Sequence, residues 1–472
     1  MSFTRRSFLV GAGASTSLLV LTACTDTSPV PTAKPTPQPT NSVPAPTSVR
    51  RSDWSNDPFA LGAVSFLPVG ATPLHRANLA QSVMDRVFFA GEATADDPST
   101  VRGARDTGAR AAAEVLEVVG PGERVAVIGA GAAGAECARR LAALGVDVVV
   151  LEARDRTGGR IHSIKGSDGQ FTELGAWRLG VDSDAEVIAT LARLDVATAP
   201  HAGPDLIRES GSDAEVLTPA GTTPANTVGA TAVARATEWA VSQVADSTLA
   251  DALDASGALG AAASASQGDL GGEELLQQYL RSLSATTGAE ASTLSAWFTP
   301  PQQTEENLRV TGSFVSLIDS DLSGVETFLS NVVVGVSYDE NGVRLRLGTG
   351  ESLSVARLVV TAPLGVLKSA AIEFAPLLPF GHRAAINAIS VGAIDLIHVR
   401  FDEPFWTTDA VNWSLVGTDD LITTWVNLMP GTGEPVLIGL VGGDAAIALA
   451  GLTEKELAEL VRTSLEPFAE PV

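Results

Sequence analysis

The feature that most constrains the fold is a glycine-rich loop placed directly after a short apolar run. Residues 124–128 (RVAVI) are followed at once by GAGAAG over 129–134, and a helical pattern then continues to Leu144 and stops at Gly145. A second apolar run (DVVVL) closes on Glu152. Strand, glycine loop, helix, strand and acidic residue in this order predict a Rossmann-type unit that binds a dinucleotide.

Each glycine of such a loop has its own structural role. Gly129 permits the tight turn, Gly131 lets the backbone approach a pyrophosphate, and Gly134, next to Ala133, permits close packing of the helix on the strand. The helix N-terminus faces the phosphate, and Glu152 is placed to accept hydrogen bonds from ribose hydroxyls. These residues alone leave NAD and FAD open as the cofactor.

The residues that follow Glu152 separate the two cofactors. Residues 152–160 (EARDRTGGR) and 172–177 (TELGAW) resemble two consecutive motifs of the flavin-containing amine oxidase family. In that family the first wraps the FAD pyrophosphate and the second passes near the flavin. The resemblance implies non-covalent FAD, since no cysteine stands near the flavin, and it implies cofactor contacts at Ala153, Arg154, Gly159, Arg160, Gly175, Ala176 and Trp177.

The other half of the family's signature occurs upstream of the glycine loop. Residues 87–94 (VFFAGEAT) and 99–104 (STVRGA) resemble the flavin-end motif, which normally lies near the C-terminus, and 54–68 resemble the stretch that precedes it. Residues 457–472 resemble the helix that normally leads into that stretch. We therefore expect a circular permutation, in which joining Val472 to about Val49 would restore the usual order.

This upstream half is expected to contact the flavin end of the cofactor. The resemblance implies contacts at Trp54, Gly91, Glu92, Thr100, Val101 and Ala104. Thr100 is predicted to cap a helix that runs to about Val118 and directs its positive end at the flavin. We expect Glu92 to bond the ribityl or pyrophosphate side of FAD, and Gly103 and Gly108 to leave room for the ring.

Three further stretches extend the resemblance over about residues 50–472, most weakly over 180–300. Residues 328–333 (FLSNVV) resemble a strand whose valine, here Val333, touches adenine. Residues 358–367 (LVVTAPLGVL) resemble a crossover of the family, and the resemblance implies a cofactor contact at Thr361. Residues 401–406 (FDEPFW) resemble a strand.

Two departures from the family's pattern concern the substrate side. Leu396 occupies the place of a lysine that holds a water against the flavin, and Val64 occupies the place of an aromatic residue. The catalytic residues therefore stay unknown. One reading is an oxidoreductase that takes hydride from an amine or another activated C–H and passes electrons to O2 or another acceptor. The alternative is an FAD-binding lipoprotein whose activity is altered or lost; an NAD-dependent dehydrogenase is disfavoured.

The predicted fold class is α/β: a two-dinucleotide-binding (Rossmann-type) FAD domain with a second α+β substrate domain, in circularly permuted order. The FAD domain is expected over residues 81–170 and 325–370. The substrate domain is expected over residues 50–80, 171–324 and 371–472.

The first residues are predicted to be an export signal and a tether. Residues 1–24 contain the twin arginines of TRRSFL and an apolar run too short to span a bilayer, and they end in LTAC, which resembles a lipobox. We expect lipidation at Cys24, residence at the extracytoplasmic face of the membrane, and membrane contact through the lipid anchor only. The alternative is an ordinary Tat signal with an incidental cysteine. Residues 25–49 are Pro/Thr-rich and predict an extended linker.

Composition excludes some partners. A formal net charge of −24 argues against nucleic acid, which requires clustered Lys and Arg. An acidic field favours a cationic amine as the small-molecule substrate, although a solvated acidic surface is the simpler interpretation. Cys24, Cys137 and five scattered histidines lack metal-ligand spacing, so no metal is expected. Cys137 is predicted to be a small buried residue.

Overall fold

The computed structural model describes residues 43–167, 169–211, 215–218, 224–267, 270–301 and 305–469. The predicted signal, Cys24 and most of the predicted linker lie outside these residues. Within the described ranges no helix combines the length and apolar character needed to cross a bilayer.

The strands and helices follow in chain order. The strands are β1 (Ser48–Arg51), β2 (Val64–Phe66), β3 (Val87–Phe89), β4 (Arg124–Ile128), β5 (Asp147–Leu151), β6 (Ser163–Lys165), β7 (Phe171–Glu173), β8 (Arg178–Gly180), β9 (Thr198–Pro200), β10 (Asp205–Glu209), β11 (Glu215–Thr218), β12 (Ser266–Gln267), β13 (Leu270–Gly271), β14 (Asn307–Val310), β15 (Glu326–Phe328), β16 (Val333–Asp339), β17 (Gly342–Leu347), β18 (Ser352–Val355), β19 (Arg357–Val360), β20 (Glu373–Ala375), β21 (Ser390–Gly392), β22 (Ile394–Arg400), β23 (Asn412–Val416), β24 (Thr424–Asn427) and β25 (Val436–Gly442). The α-helices are α1 (Pro73–Ala80), α2 (Val101–Val118), α3 (Ala132–Ala143), α4 (Ala185–Arg193), α5 (Pro224–Val241), α6 (Leu249–Ala255), α7 (Ala258–Ala263), α8 (Gly272–Thr287), α9 (Ser316–Asp321), α10 (Leu364–Lys368), α11 (Phe380–Ala388), α12 (Met429–Thr432), α13 (Gly443–Leu449) and α14 (Glu454–Leu465).

A five-stranded parallel sheet, ordered β15-β5-β4-β19-β3, forms the dinucleotide-binding part. After a charged first residue, its central strands are apolar and buried, as expected for a sheet covered on both faces. The predicted β4–α3–β5 unit is confirmed, including the stop at Gly145 with φ 82°. Edge strand β3 comes from the segment that precedes the glycine loop in the chain.

A four-stranded sheet, ordered β18-β17-β16-β20, shares a core with this parallel sheet. Two expectations are corrected here. Residues 328–333 are not one strand: β15 ends at Phe328, Ser330 turns the chain with φ 58°, and β16 begins at Val333. The predicted boundary at residue 370 also falls too early, because β20 pairs with β16 in parallel.

A seven-stranded sheet, ordered β1-β22-β25-β24-β23-β10-β11, lies mostly in the segments where the substrate domain is expected. The predicted end of the linker at residue 49 is wrong, because β1 pairs with β22 over its four residues and Val43 is already in the core. The predicted strand over 401–406 is wrong as well. Strand β22 ends at Arg400, and Phe401, Phe405 and Trp406 instead stack edge to face, where ring packing outweighs further pairing.

The first and last described residues pack into one core. Val43 and Ala469 belong to the same buried cluster, together with Val461, Leu465 and Phe468 at the end of the chain. The two ends of the described chain therefore meet on the seven-stranded sheet.

Helix α2 is tied to the parallel sheet by a buried ion network. Arg105 of α2 pairs with Glu136 of α3 and with Asp321 of α9, and Arg139 also pairs with both acids. Burial alone would raise the pKa of Glu136, but Arg139, Arg105 and Arg140 outweigh that effect and lower it. The network holds the upstream segment against the residues that follow the glycine loop.

Candidate active site

The glycine loop lies at the carboxyl end of β4. A Cβ added at Gly134 would stand 2.0 Å from the Gly129 carbonyl oxygen, so this glycine is required by packing inside the protein. A Cβ added at Gly131 would meet nothing nearer than 3.8 Å. Helix α3 begins at Ala132, so the open side of the loop adjoins a helix N-terminus, which suits an anion such as a pyrophosphate.

Glu152 ends β5 beside this loop. Its carboxylate is buried and accepts hydrogen bonds from the Ala130 N–H at 2.7 Å and the Arg154 N–H at 2.9 Å. Each oxygen keeps capacity for one more donor. The predicted bond to a ribose is compatible with this position and stays a prediction.

The two halves of the signature meet at one buried ion pair. Arg160, from the motif after the glycine loop, donates to Glu92, from the motif before it, at 3.0 Å. Glu92 also accepts from the hydroxyl of Ser65 at 2.7 Å and from the backbone N–H of Ser99 at 3.2 Å. The carboxylate expected to bond FAD thus has its described partners within the protein, and it organises the site.

Glu92 is held ionised by these partners. Burial by itself would raise the pKa of Glu92, but Arg160, the Ser65 hydroxyl and Arg76 outweigh it and lower the pKa. Arg76 is held near Glu92 because it donates to the Ser65 hydroxyl at 2.7 Å.

Helix α2 begins where predicted, and Thr100 caps it by accepting from the Gly103 N–H at 2.9 Å. The expected role of Gly103 and Gly108 is corrected. A Cβ at Gly103 would stand 2.0 Å from the Asp97 carbonyl oxygen, and one at Gly108 would stand 2.2 Å from that of Ala133. Both glycines therefore serve backbone packing and leave no space for a ring.

The remaining predicted contacts surround the loop and the ion pair. Thr361 donates to the Ile128 carbonyl at 2.7 Å, and Gly91, with φ 125°, lies beside Thr361. Trp54 donates to the Leu174 carbonyl at 3.1 Å. Arg154 pairs with Asp57 at 2.8 Å, so the protein itself supplies one partner for it.

The other predicted cofactor contacts lie on the same elements. Gly159 has φ 59°, Gly175 abuts the Arg160 carbonyl, and the Ala176 N–H donates to that carbonyl. Val101 and Ala104 lie in the first turn of α2, and Ala133 lies in the first turn of α3. Ala153 follows Glu152, and Val333 is buried at the start of β16.

A cavity of about 410 Å³ lies beside the motif that ends in Trp177. Its wall includes Trp177, Glu173, Arg309, His398 and Ile438. Strand residues two apart share a face, so His398 stands on the same face of β22 as Leu396. The cavity therefore adjoins the position where the family places a lysine.

Leu396 is 5% exposed and packs in an apolar cluster with Val426 and Ile438, against which Trp177 also packs. Val64, in the aromatic place, lies opposite Gly392 in the β2–β21 pair. The immediate surroundings of Leu396 are therefore apolar.

Sequence reasoning missed three cavity residues, namely Glu173, Arg309 and His398. Burial raises the pKa of Glu173 to about 7, against hydrogen bonds from Ser163 and Phe314, and its Oε2 atom has no partner. Burial lowers the pKa of His398 to about 4, and its Nε2 contacts the Glu173 carbonyl oxygen at 2.8 Å. The i+2 spacing from Leu396 was the available signal for His398, whereas Arg309 belongs to none of the motifs identified in the sequence.

The comparison with family models decides the assignment. The model described as flavin containing amine oxidoreductase matches residues 33–116 and 132–471. The chain belongs to this family. A pyridine nucleotide-disulphide oxidoreductase model also matches residues 75–165.

Individual relatives agree with that family. Polyamine oxidase 4 of Oryza sativa subsp. japonica is 29% identical over 364 residues, covering 72% of this chain and 72% of that protein. Polyamine oxidase 2 of Arabidopsis thaliana is 27% identical, covering 72% of this chain and 71% of that protein.

Solved structures show the same fold. Cyclohexylamine oxidase from Brevibacterium oxydans has a TM-score of 0.58 at 18% identity, covering 74% of this chain and 82% of that one. Putrescine oxidase bound to putrescine has a TM-score of 0.55 at 18% identity, with the same coverage.

The protein is thus an FAD-dependent oxidoreductase of the amine oxidase type. The open side of Gly131, the α3 N-terminus and the buried carboxylate of Glu152 fit the phosphate and ribose of this cofactor. Groups of His, Cys, Asp or Glu able to hold a metal ion are absent from the described ranges. Cys137 is buried, as predicted, and burial raises its thiol pKa to about 12.

Two glycine substitutions separate packing from cofactor binding. Gly134→Ala forces a backbone collision and is expected to lower the free energy of unfolding by about 2 kcal/mol or more. Gly131→Ala meets no protein atom, so the FAD-free protein should unfold within about 0.5 kcal/mol of wild type. Its FAD affinity should fall at least about tenfold, because the added methyl occupies the phosphate's approach. Thermal unfolding and FAD fluorescence titration measure the two effects, and wild-type FAD affinity in Gly131→Ala would contradict the assignment.

The free energy of unfolding should depend on pH through two buried carboxyls. Burial raises the pKa of Glu173 and of Asp395 to about 7 each, so the folded state holds protons that the unfolded state has released. Their contribution is therefore largest at acid pH and is lost as the pH rises through about 7. Each contributes a slope of up to about 1.4 kcal/mol per pH unit in that window.

Urea unfolding of Glu173→Gln, Asp395→Asn and wild type between pH 5 and 8 measures these slopes. Comparison with wild type at each pH is needed because His398, whose pKa is lowered to about 4, contributes the opposite slope. Each variant should gain stability relative to wild type as the pH rises. The exposed Glu186→Gln is the matched control, and parallel profiles for all four proteins would disprove the prediction.

Proposed function

We propose that the protein oxidises the C–H bond next to the nitrogen of an amine held in the cavity beside Trp177. The observation that supports this is the cavity itself, which adjoins both the E-L-G-A-W motif and the face of Leu396. When bound, FAD accepts the hydride and passes the electrons to O2 or another acceptor. Trp177 and the Leu396 cluster exclude water and position the substrate carbon.

Proton handling in this proposal involves Glu173. Its unpartnered Oε2 and its pKa near 7 suit a carboxyl that exchanges a proton with a substrate amine near neutral pH. His398 stays neutral under these conditions and keeps its contact with the Glu173 carbonyl oxygen.

Anaerobic mixing tests the proposal. Amines that enter the cavity should bleach the visible flavin absorbance of the holoenzyme. An unrelated reductant should also bleach it, because it reduces the flavin without binding in the cavity. If the reductant acts and no amine or amino acid does, the chain is an FAD-binding protein without amine oxidase activity.

Leu396→Lys probes the altered position directly. The surrounding apolar cluster would keep the new amine neutral and able to hold a water at the flavin. Reaction with amines or with oxygen should then rise about tenfold, equivalent to about 1.4 kcal/mol of activation free energy. Leu396→Met is the matched control of similar volume and should stay near wild type. Stopped-flow absorbance measures both half-reactions, and equal rates in all three proteins would place Leu396 away from the reacting atoms.

We also propose that the chain is a circular permutation of the family's usual order. Support comes from three observations. The family model matches in two blocks that break between residues 116 and 132, strand β3 pairs in parallel with β19, and Val43 and Ala469 share one core. On this proposal residues 81–170 and about 325–375 form the FAD domain, and the remainder from Ser48 forms the substrate domain.

A rearranged gene tests the permutation. The chain would begin at Glu123, run to Val472, continue through a short glycine-serine linker into Val43, and end at Val119. Since Val43 and Ala469 share one core and the turn at Pro121 and Gly122 is exposed, we expect the same FAD content and a thermal midpoint within a few degrees. A rearrangement that instead opens the chain within β17 is the control. Loss of FAD binding in the first chain but not in the control would refute the proposal.

We propose export as a Tat lipoprotein, with a tether that begins at residue 25 and ends before Val43, which is in the core. The twin arginines and the cysteine after LTA support this. Cys24→Ser should move the protein from the membrane fraction to the soluble exported fraction, and replacing both Arg5 and Arg6 with Lys should retain it inside the cell. Fractionation with labelled fatty acid measures both, and unchanged membrane attachment in Cys24→Ser would exclude the lipid anchor.

A further inference from the structure

A buried carboxyl lies directly behind Leu396. Asp395 is 4% exposed, and alternation along β22 turns its side chain to the face opposite that of Leu396 and the cavity. On that face β22 also contributes Ile397 and Val399 to an apolar core. A carboxyl in such surroundings destabilises the fold unless hydrogen bonds satisfy it.

Two hydrogen bonds to this carboxyl come from the turn that follows β1. Its Oδ1 atom accepts from the Ser52 hydroxyl at 3.0 Å, and the carboxyl also accepts from the backbone N–H of Trp54. Ser52 and Trp54 are buried as well. Asp395 therefore fastens one turn of the chain, residues 52–57, to strand β22.

The same turn holds the backbone of Leu396. The Ser52 N–H donates to the Leu396 carbonyl oxygen at 3.0 Å, and the Leu396 N–H donates to the Ser52 hydroxyl oxygen at 2.9 Å. A hydroxyl has one proton, so a Ser52 oxygen that accepts from Leu396 can donate its own proton to Asp395. Removal of the carboxyl would leave this hydroxyl free to rotate and would weaken its hold on Leu396.

The other side of the turn contacts the segments that carry two cofactor motifs. The indole N–H of Trp54 donates to the Leu174 carbonyl oxygen at 3.1 Å, and its ring would stand 3.3 Å from a Cβ added at Gly175. Asp57, the last residue of the turn, pairs with Arg154 at 2.8 Å. The turn thus bridges β22 and the two motifs that follow the glycine loop.

The contact depends on acceptor oxygens more than on charge. Burial raises the pKa of Asp395 to about 7, against the hydrogen bond from Ser52 and the charge of Arg51, and the charge of Asp53 raises it further. The carboxyl is therefore partly neutral at neutral pH. An amide of the same shape keeps one acceptor oxygen and should replace it in part.

We propose that Asp395 is a positioning residue, which acts through the turn of residues 52–57 to fix Leu396 and the Trp54 ring relative to the cofactor site. This rests on the proposed amine oxidation. Asp395 acts from the face of β22 that points away from the cavity, so its effect reaches the reaction through the residues it holds. A shift of about 1 Å in such residues can slow a reaction about a hundredfold.

The rate of flavin reduction tests the proposal. Holoenzymes of wild type, Asp395→Ala and Asp395→Asn are mixed anaerobically with an amine that reduces the wild-type flavin. Asp395→Ala should lower the limiting rate at least about tenfold, and the amine concentration that gives half this rate should stay within about twofold, because the cavity wall is intact. Asp395→Asn should recover most of the rate.

Val399→Ala is the matched control for lost core volume. Val399 lies on the same face of β22 as Asp395 and pairs with Val49, away from the turn of residues 52–57. Its limiting rate should stay near that of wild type, although its thermal midpoint falls.

Visible circular dichroism of the bound FAD gives a readout that needs no turnover, because the signal depends on how the protein surrounds the flavin. Asp395→Ala and Ser52→Ala should change this spectrum in the same direction, and Val399→Ala should leave it unchanged. Since Asp395 and Ser52 act in one chain of contacts, the double variant should reduce no more than about twofold more slowly than Asp395→Ala. Ser52→Ala provides the test if Asp395→Ala does not fold.

The outcomes separate this inference from the proposed reaction. Equal limiting rates and spectra in Asp395→Ala and Val399→Ala would show that Asp395 serves only the fold, and the inference would be wrong. A changed half-saturating amine concentration at an unchanged limiting rate would overturn it too, because that result belongs to substrate binding. If no amine reduces the wild-type flavin, amine oxidation fails, and the circular dichroism of the variants decides the positioning role alone.

Discussion

The cofactor site depends on the buried ion pair between Glu92 and Arg160. These residues come from opposite sides of the glycine loop in the chain, and their 3.0 Å contact joins the two halves of the signature. Loss of Arg160 would leave the buried carboxylate of Glu92 without its ion-pair partner, so the free energy of unfolding should fall. Ser65 and Ser99 also bond Glu92, so the pair orders the backbone around it. The unusual order of the motifs is therefore compatible with one intact site.

The same rule about buried charge applies elsewhere in the described residues. The protein satisfies Glu92 with Arg160, and it satisfies Glu136 with three arginines. Glu173 and Asp395 are buried as well, and burial raises the pKa of each carboxyl to about 7.

Local patterns predicted the βαβ unit and the cap of α2 correctly. Strands β4 and β5, the stop at Gly145 and the Thr100 cap depend on neighbouring residues along the chain, so a sequence motif contains the needed information. Failures occurred where packing decides. Residues 401–406 leave the strand for an aromatic cluster, and Gly103 and Gly108 lie against the backbone of Asp97 and Ala133 rather than a ring. Glu92 was identified from its motif, but its partners could not be, because Ser65 and Arg160 become neighbours only on folding.

The sequence by itself determined the family, the cofactor and the reversed order of its motifs, because the glycine loop and the flanking strands are local signals. It also located Leu396 and Val64 as departures from the pattern. Only the tertiary structure placed Glu173, Arg309 and His398 around one cavity and set Arg178 against Arg309. Pairing of β8 with β14 joins residues more than a hundred positions apart, and no periodicity along the chain encodes which side chains such pairing brings together. The set of charged side chains around the cavity is consequently a property of the fold, whereas the glycine loop is a property of consecutive residues in the sequence.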